Sequence, residues 1–193
     1  MESLEESDVR RDSLLPGWTV GHVLTHLARN ADSHVRRTEG AVREEMVEQY
    51  PGGYEGRELE ISEGAKRQLG EIVADVLGTS RRLEQVWAGL AAPVWASSVR
   101  DLSGAERPLR SMPARRWQEV EVHMVDLGSG FSYTDWPEEF VTDRLDALRA
   151  TLSDRLPAGA RPPGPGELER REELAWLYGR LELVGLPTLA PWG

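Results

Sequence analysis

Four histidines (His22, His26, His34 and His123) and no cysteine limit the chemistry open to this 193-residue chain. In Trp117-Gln-Glu-Val-Glu-Val-His123, Glu119 precedes His123 by four residues, so in a helix the two stack one turn apart on one face. A carboxylate and an imidazole so placed form a rigid half-site for zinc or a similar divalent cation. The same spacing also arises on exposed helices that bind nothing. His22 and His26 repeat the one-turn spacing on an earlier segment, with Asn30 next on that row. One of them, added to Glu119 and His123, gives a His₂Glu set with a fourth position open, the pattern of catalytic zinc. Spacing alone does not choose between His22 and His26, nor bring the two segments together. His34 falls beside Val35 on the apolar side and reads as a structural histidine. Without cysteine there is no disulfide framework, no thiolate metal site and no cysteine nucleophile, so any sulfur chemistry needs a thiol from outside.

The charge balance narrows the partners. Thirty-three acids face 23 bases, a net charge of −10, and the arginine pairs are scattered among acids, which disfavours nucleic acid. No apolar run approaches the ~20 residues of a membrane span. The acidic start Met1-Glu-Ser-Leu-Glu-Glu lacks the apolar core of a signal peptide. A soluble, cytoplasmic protein without nucleic-acid or membrane partners is expected.

The elements that must carry these residues read as helices. Thr19 caps a segment running to about Glu48, with Val20, Val23, Leu24, Leu27, Ala31, Val35 and Val42 at helical period. A second helix is expected from Ser62 to before Pro93. A short strand follows at Val94–Val99, then a loop over Asp101–Leu109. Pro113 to Leu127 forms a third helix closed by Gly128, and a fourth follows Pro137 with Phe140, Leu145, Leu148 and Leu152. The Pro/Gly run 157–166 cannot build a core. Beyond it, 167–183 is helical and ends in an extended tail. The fold class expected is mainly α. Residues 1–156 make a four-helix bundle, 157–166 a linker, and 167–193 a residual C-terminal helix and tail. The seven tryptophans, spread along these segments, read as packing anchors.

Leu14-Leu-Pro-Gly-Trp-Thr-Val-Gly-His-Val-Leu-Thr-His-Leu-Ala-Arg-Asn-Ala-Asp32 resembles the signature of the mycothiol-dependent maleylpyruvate isomerase family, within the DinB-like metal-binding helical superfamily. Arg57-x-x-x-Ile61-x-x-Gly64-Ala65, Trp117-x-Glu119-x-x-x-His123-x-Val-Asp126-Leu-Gly128 and Asp135-Trp-Pro are similar in order and spacing. So are Leu174-Ala-Trp-Leu-Tyr-Gly-Arg180 and Leu186-Pro-Thr-Leu-Ala-Pro-Trp192. The resemblance implies a DinB-like bundle of up-down-down-up type. Its metal, zinc in the family, is held by His26, Glu119 and His123, which selects His26 over His22. It implies a low-molecular-weight thiol, mycothiol or similar, as cofactor. In such an isomerase the thiolate adds to the cis double bond of maleylpyruvate, the resulting single bond rotates, and elimination leaves the trans product. Carboxylates and a developing enolate then call for arginine. Arg180 matches a family arginine and is the first candidate for a carboxylate clamp; the alternative is an arginine satisfying the last carbonyls of its helix. Arg116 or Arg57 offers the same chemistry. Asn30 and Asp126 match family positions, as groups that bond the thiol or orient a ligand histidine. Asn30, Asp126 and Arg116 are therefore the cofactor-binding candidates, with Arg180 and Asn30 as the catalytic ones.

Two departures from the family shape the expectation. Only about a dozen charged residues precede the Ser-Leu-Leu-Pro-Gly-Trp turn, where the family carries a full helix. The Pro137–Leu156 helix, the C-terminal helix or a second subunit in a homodimer would then complete the bundle. The proline-rich run also replaces strands expected before the Trp-Leu-Tyr-Gly-Arg segment. The function expected is a metal-dependent, thiol-dependent isomerase or thiol S-transferase acting on a small electrophilic, carboxylate-bearing substrate. The alternatives are a non-catalytic metal- or thiol-binding module and a metal-water hydrolase.

Overall fold

Thr19 starts the longest helix: its backbone is extended and its hydroxyl accepts from the His22 N–H. This computed structural model describes residues 4–164 and 166–192. The helices are α1 (Val20–Val42), α2 (Gly53–Gly64), α3 (Leu69–Ala88), α4 (Met112–Asp126), α5 (Glu138–Ala150), α6 (Leu152–Arg155) and α7 (Arg170–Leu177). The chain divides into two compact units, Met1–Ser129 and Gly130–Gly193. The break expected at 157–166 is thus preceded by one between Ser129 and Gly130.

In the first unit α1 is the central element, packed along α3 and also against α2 and α4. Val20, Val23, Leu24 and Ala28 of α1 meet Ile72 and Val76 of α3, with Leu127 and Val9, all buried. Val9 belongs to a 3₁₀ turn, Glu6–Arg10, and packs against the first turns of α1 and α3. Further along, Ala31 and Val35 pack with Leu83, and Ala41 with Val99, Leu109 and Met112. Two ion pairs tie the layers together: Asp75 of α3 takes Arg29 of α1 at 2.6 Å and Arg67 at 2.7 Å.

Several boundaries differ from the sequence expectation. α1 stops at Val42 rather than Glu48, because Glu44 turns to a left-handed φ of 60°. The helix expected from Ser62 is two helices, α2 and α3, and Ser62 lies inside the first. α2 buries only Ile61, so no apolar stripe announces it. It supplies the fourth helix of the unit, where the Pro137–Leu156 helix, the C-terminal helix or a second subunit was expected to complete the bundle. Val94 lies in a 3₁₀ turn, Ala92–Ala96, and the strand that follows, β1 (Ser98–Arg100), pairs antiparallel with β2 (Glu106–Pro108). The expected loop therefore contains a hairpin. α4 begins and ends within a residue of expectation, with Pro113 in its first turn and Gly128 at φ +59° just past its end. Gly64 allows α2 to close on α1: a Cβ there would lie 2.4 Å from Thr25 Cγ2.

In the second unit α5 packs against α7. The core is aromatic: Trp136 sits edge-on to Phe140 (5.6 Å) and Tyr178 (5.8 Å), and Tyr178 to Trp192 (4.9 Å). The tail is pinned by Trp176 Nε1 donating to the Pro187 carbonyl and by the Arg155–Ala190 backbone contact. Helix in 167–183 is confined to α7.

Candidate functional site

His26 and His123 come from the second turn of α1 and the last turn of α4, and their rings meet edge-on with centroids 4.6 Å apart. Glu119, one turn before His123, reaches between them. Its Oε2 lies 2.8 Å from His26 Nε2 and 3.5 Å from His123 Nε2. One ligand atom from each of the three lies within 4.8 Å of the others, a group able to hold a metal ion. The helical register expected for Glu119 and His123 is realised. The choice between His22 and His26 is made by α1 itself. His22, in the first turn, turns its Nδ1 back onto Thr19 N (3.2 Å) and Oγ1 (2.8 Å) as part of the helix cap. His26 is one turn further in, facing α4.

The electrostatics of the cluster are those of a carboxylate buried among imidazoles. Burial pushes the Glu119 carboxyl up, but hydrogen bonds from His123 and His26 outweigh it and hold the group well below the usual carboxylate range. Burial lowers His26 to about 4, against the opposing pull of Glu119. Burial also works against a charged His123, yet bonds to Asp126 and Glu119 win and raise it.

A surrounding layer fixes the rings. Asp126, fully enclosed, accepts from His123 Nδ1 at 2.7 Å. On the other ring, Arg57 Nη2 of α2 donates to His26 Nδ1 at 3.2 Å. That guanidinium also stands 5.7 Å from the Trp18 ring and 5.8 Å from the Tyr50 ring. Trp18 in turn lies edge-on to His26 at 5.6 Å. Trp18 thus adds a site contact to its role as an anchor.

Asn30 and Arg116 are brought together as a pair. Arg116 Nη1 donates to Asn30 Oδ1 (2.9 Å) and to the Leu27 carbonyl (2.8 Å), and its Nη2 to Ser80 Oγ (3.3 Å). Arg180 belongs to the second unit, where it donates to the Tyr178 carbonyl at 2.7 Å and stands 5.8 Å from the Trp192 ring. The carbonyl contact is the helix-end role weighed against a clamp. His34 is buried edge-on to Trp87, as expected of a structural histidine.

One buried group escaped the sequence altogether. Arg37 is only 3% exposed. Its Nε donates to the Ser33 carbonyl, and Nη2 to Ser33 Oγ and His34 Nδ1. In sequence it is half of an Arg-Arg pair among polar neighbours, and nothing there signals that it turns inward.

A family model described as the mycothiol maleylpyruvate isomerase N-terminal domain matches residues 1–128. A crystal structure of the mycothiol-dependent maleylpyruvate isomerase has the same fold, with a TM-score of 0.85 at 22% identity over 99% of this chain and 89% of that one. A crystal structure of a mutant of the mycothiol-dependent maleylpyruvate isomerase gives 0.86 at 21% identity, with the same coverage. No curated protein matches the chain. Among the described residues, no helix is long and apolar enough to cross a membrane.

Proposed function

Since the chain belongs to the mycothiol maleylpyruvate isomerase family, we propose that it is a thiol-dependent isomerase or S-transferase whose centre is a divalent metal held by His26, Glu119 and His123. The observation that carries this is the convergence of those three ligand atoms within 4.8 Å. The donor set fits zinc: two imidazole nitrogens and one carboxylate oxygen, with a fourth position for a ligand. The charge balance fits as well, because both imidazoles face the one Glu119 oxygen, Oε2, that a cation would take. Asp126 on His123 Nδ1 gives the orienting contact that metal-bound histidines use. Bound there, the metal supplies positive charge that acidifies a thiol such as mycothiol, and the thiol supplies the nucleophile that this cysteine-free chain lacks.

The chain's own groups then have three tasks. Glu119 stays anionic because its imidazole neighbours outweigh the cost of burial. Asp126 holds the His123 ring with Nε2 turned toward Glu119. Arg116 fixes the Asn30 amide through Oδ1, leaving its NH₂ group to meet a thiol cofactor or substrate oxygen. Arg180, whose Nη1 donates to the Tyr178 carbonyl, is retained as a carboxylate-binding candidate of the second unit. A cytoplasmic location suits a small thiol of this kind.

The test is elemental analysis of purified protein together with thermal shift against a panel of thiols. One equivalent of zinc or a similar ion per chain, lost in His26→Ala, and a rise in Tm with mycothiol are expected. A metal-free wild type, or metal content unchanged in His26→Ala, overturns the centre. Metal without any thiol response points instead to a metal-water hydrolase or a binding module.

A further inference from the structure

Two guanidinium groups lie buried in the first unit with no carboxylate to answer them. Arg37 is 3% exposed and Arg116 9% exposed, and among the described residues neither forms an ion pair. Arg29, less deeply set, has both Asp75 at 2.6 Å and Asp32 at 3.1 Å. Shortage of acids is not the reason, because the chain carries ten more acids than bases (33 against 23). A buried charge held by neutral groups alone is costly, and burial lowers even the Arg37 guanidinium to about 10.

The free donors are specific. Arg37 spends Nε and Nη2 on Ser33 and His34, while Nη1 makes no hydrogen bond. The Tyr50 hydroxyl, on a residue 2% exposed, makes none either. Neither atom is among the fully enclosed ones, so both face accessible space. Arg116 bonds to Leu27 and Asn30 of α1, and Arg37 to Ser33 and His34, the next turn of the same helix. Tyr50 is seated against that helix, its ring 5.8 Å from the Arg57 guanidinium that bonds His26 and its neighbour Gln49 accepting from Arg36 Nη1. The pair keeps its positive charge and an unused donor on the face of α1 that also carries His26, at positions 26, 30, 33 and 37.

We propose that Arg37 Nη1 and the Tyr50 hydroxyl, backed by the positive charge of Arg116, form a subsite for a carboxylate on the small ligand of this centre. The inference rests on the metal- and thiol-dependent function proposed above and adds a specific place for the ligand's acid group, within the first unit. A carboxylate suits the donors, since it accepts from a guanidinium N–H and a phenol O–H at once and neutralises charge that no protein acid meets. The group could come on the electrophile or on the thiol.

Calorimetric titration of the intact protein with three probes separates these sources: maleate (carboxylates, no thiol), N-acetylcysteine (both) and 2-mercaptoethanol (thiol only). Arg37→Met should fold with an unchanged or higher Tm, retain wild-type metal content, and bind maleate at least tenfold more weakly. Tyr50→Phe, which keeps the ring, should weaken maleate several-fold and serves if Arg37→Met fails to fold. A loss confined to N-acetylcysteine assigns the carboxylate to the thiol and upholds the subsite. Equal maleate and N-acetylcysteine affinity in wild type and Arg37→Met overturns it, as does no binding of either probe to wild type. An equal loss for 2-mercaptoethanol overturns it too, since that thiol has no carboxylate. If the protein proves metal-free while maleate affinity still depends on Arg37, the subsite stands and the metal centre does not.

Discussion

Asp126 Oδ2 lies 2.7 Å from His123 Nδ1, and the carboxylate is fully enclosed. An acid in that position fixes both the tautomer and the swing of the ring, so that Nε2 points at Glu119. Replacing it with Asn keeps the size and removes the charge. Asp126→Asn should lower zinc affinity by about 10–100-fold, measured by competition with a chromogenic chelator. Unchanged affinity would mean that α4 alone sets the ring.

His34 makes the stability of the metal-free protein depend on pH. Burial holds its folded pKa well below 6.5, helped by the neighbouring Arg37 and Arg116 charges. The unfolded chain takes up a proton that the folded chain refuses. The contribution is therefore complete above the unfolded value of about 6.5 and is lost as pH falls below it. Each unit of pH below that point should cost up to about 1.4 kcal/mol from this group. Urea midpoints at pH 7.5, 6 and 5 should fall less steeply in His34→Gln than in wild type; parallel slopes would rule His34 out.

The α1–α2 contact can be tested from both sides. A methyl added by Gly64→Ala would meet Thr25 Cγ2 at 2.4 Å, an overpacking that should cost about 1–3 kcal/mol in denaturant unfolding. Thr25 is fully buried and its hydroxyl has no partner. Thr25→Val removes that hydroxyl with little change in volume and should leave stability unchanged or raise it by about 1 kcal/mol. A clear loss in Thr25→Val would show that the hydroxyl is bonded in solution.

Trp136 is 1% exposed in the aromatic core of the second unit. Trp136→Ala should cost about 3–5 kcal/mol by calorimetry. All three proposed metal ligands lie in the first unit, so metal content by elemental analysis should stay at the wild-type level. Loss of the metal along with the tryptophan would tie the two units together energetically.

How far these features could be read in advance depended on the kind of signal. α1 and α4 carry long 3.6-residue apolar stripes with a Thr cap and a Pro/Gly frame, and both were legible, along with the Glu119–His123 half-site. α2 was not, because it buries little besides Ile61 and leaves no period to detect. The strands are three residues each, too short for alternation to register. His22 and His26 share one row of α1, and spacing alone does not separate them: His22 is drawn into the Thr19 cap, while His26, one turn on, meets Glu119 of α4. Arg37 was invisible for a different reason. Burial of a charged side chain is decided by its neighbours in space, and the sequence around it looks like solvent-facing helix.

The two halves of the candidate centre lie far apart along the backbone: His26 and Glu119 are separated by 93 positions. An ion gripping both would close a ring that contains α2, α3 and the β1–β2 hairpin. In a chain that can form no disulfide, such an ion would act as a reversible cross-link. By the chain-entropy rule for closures of about 100 residues, it would restrict the unfolded ensemble by roughly 4–5 kcal/mol if it stayed bound there. Chelation would then loosen the tertiary structure of the first unit as well as silence its chemistry.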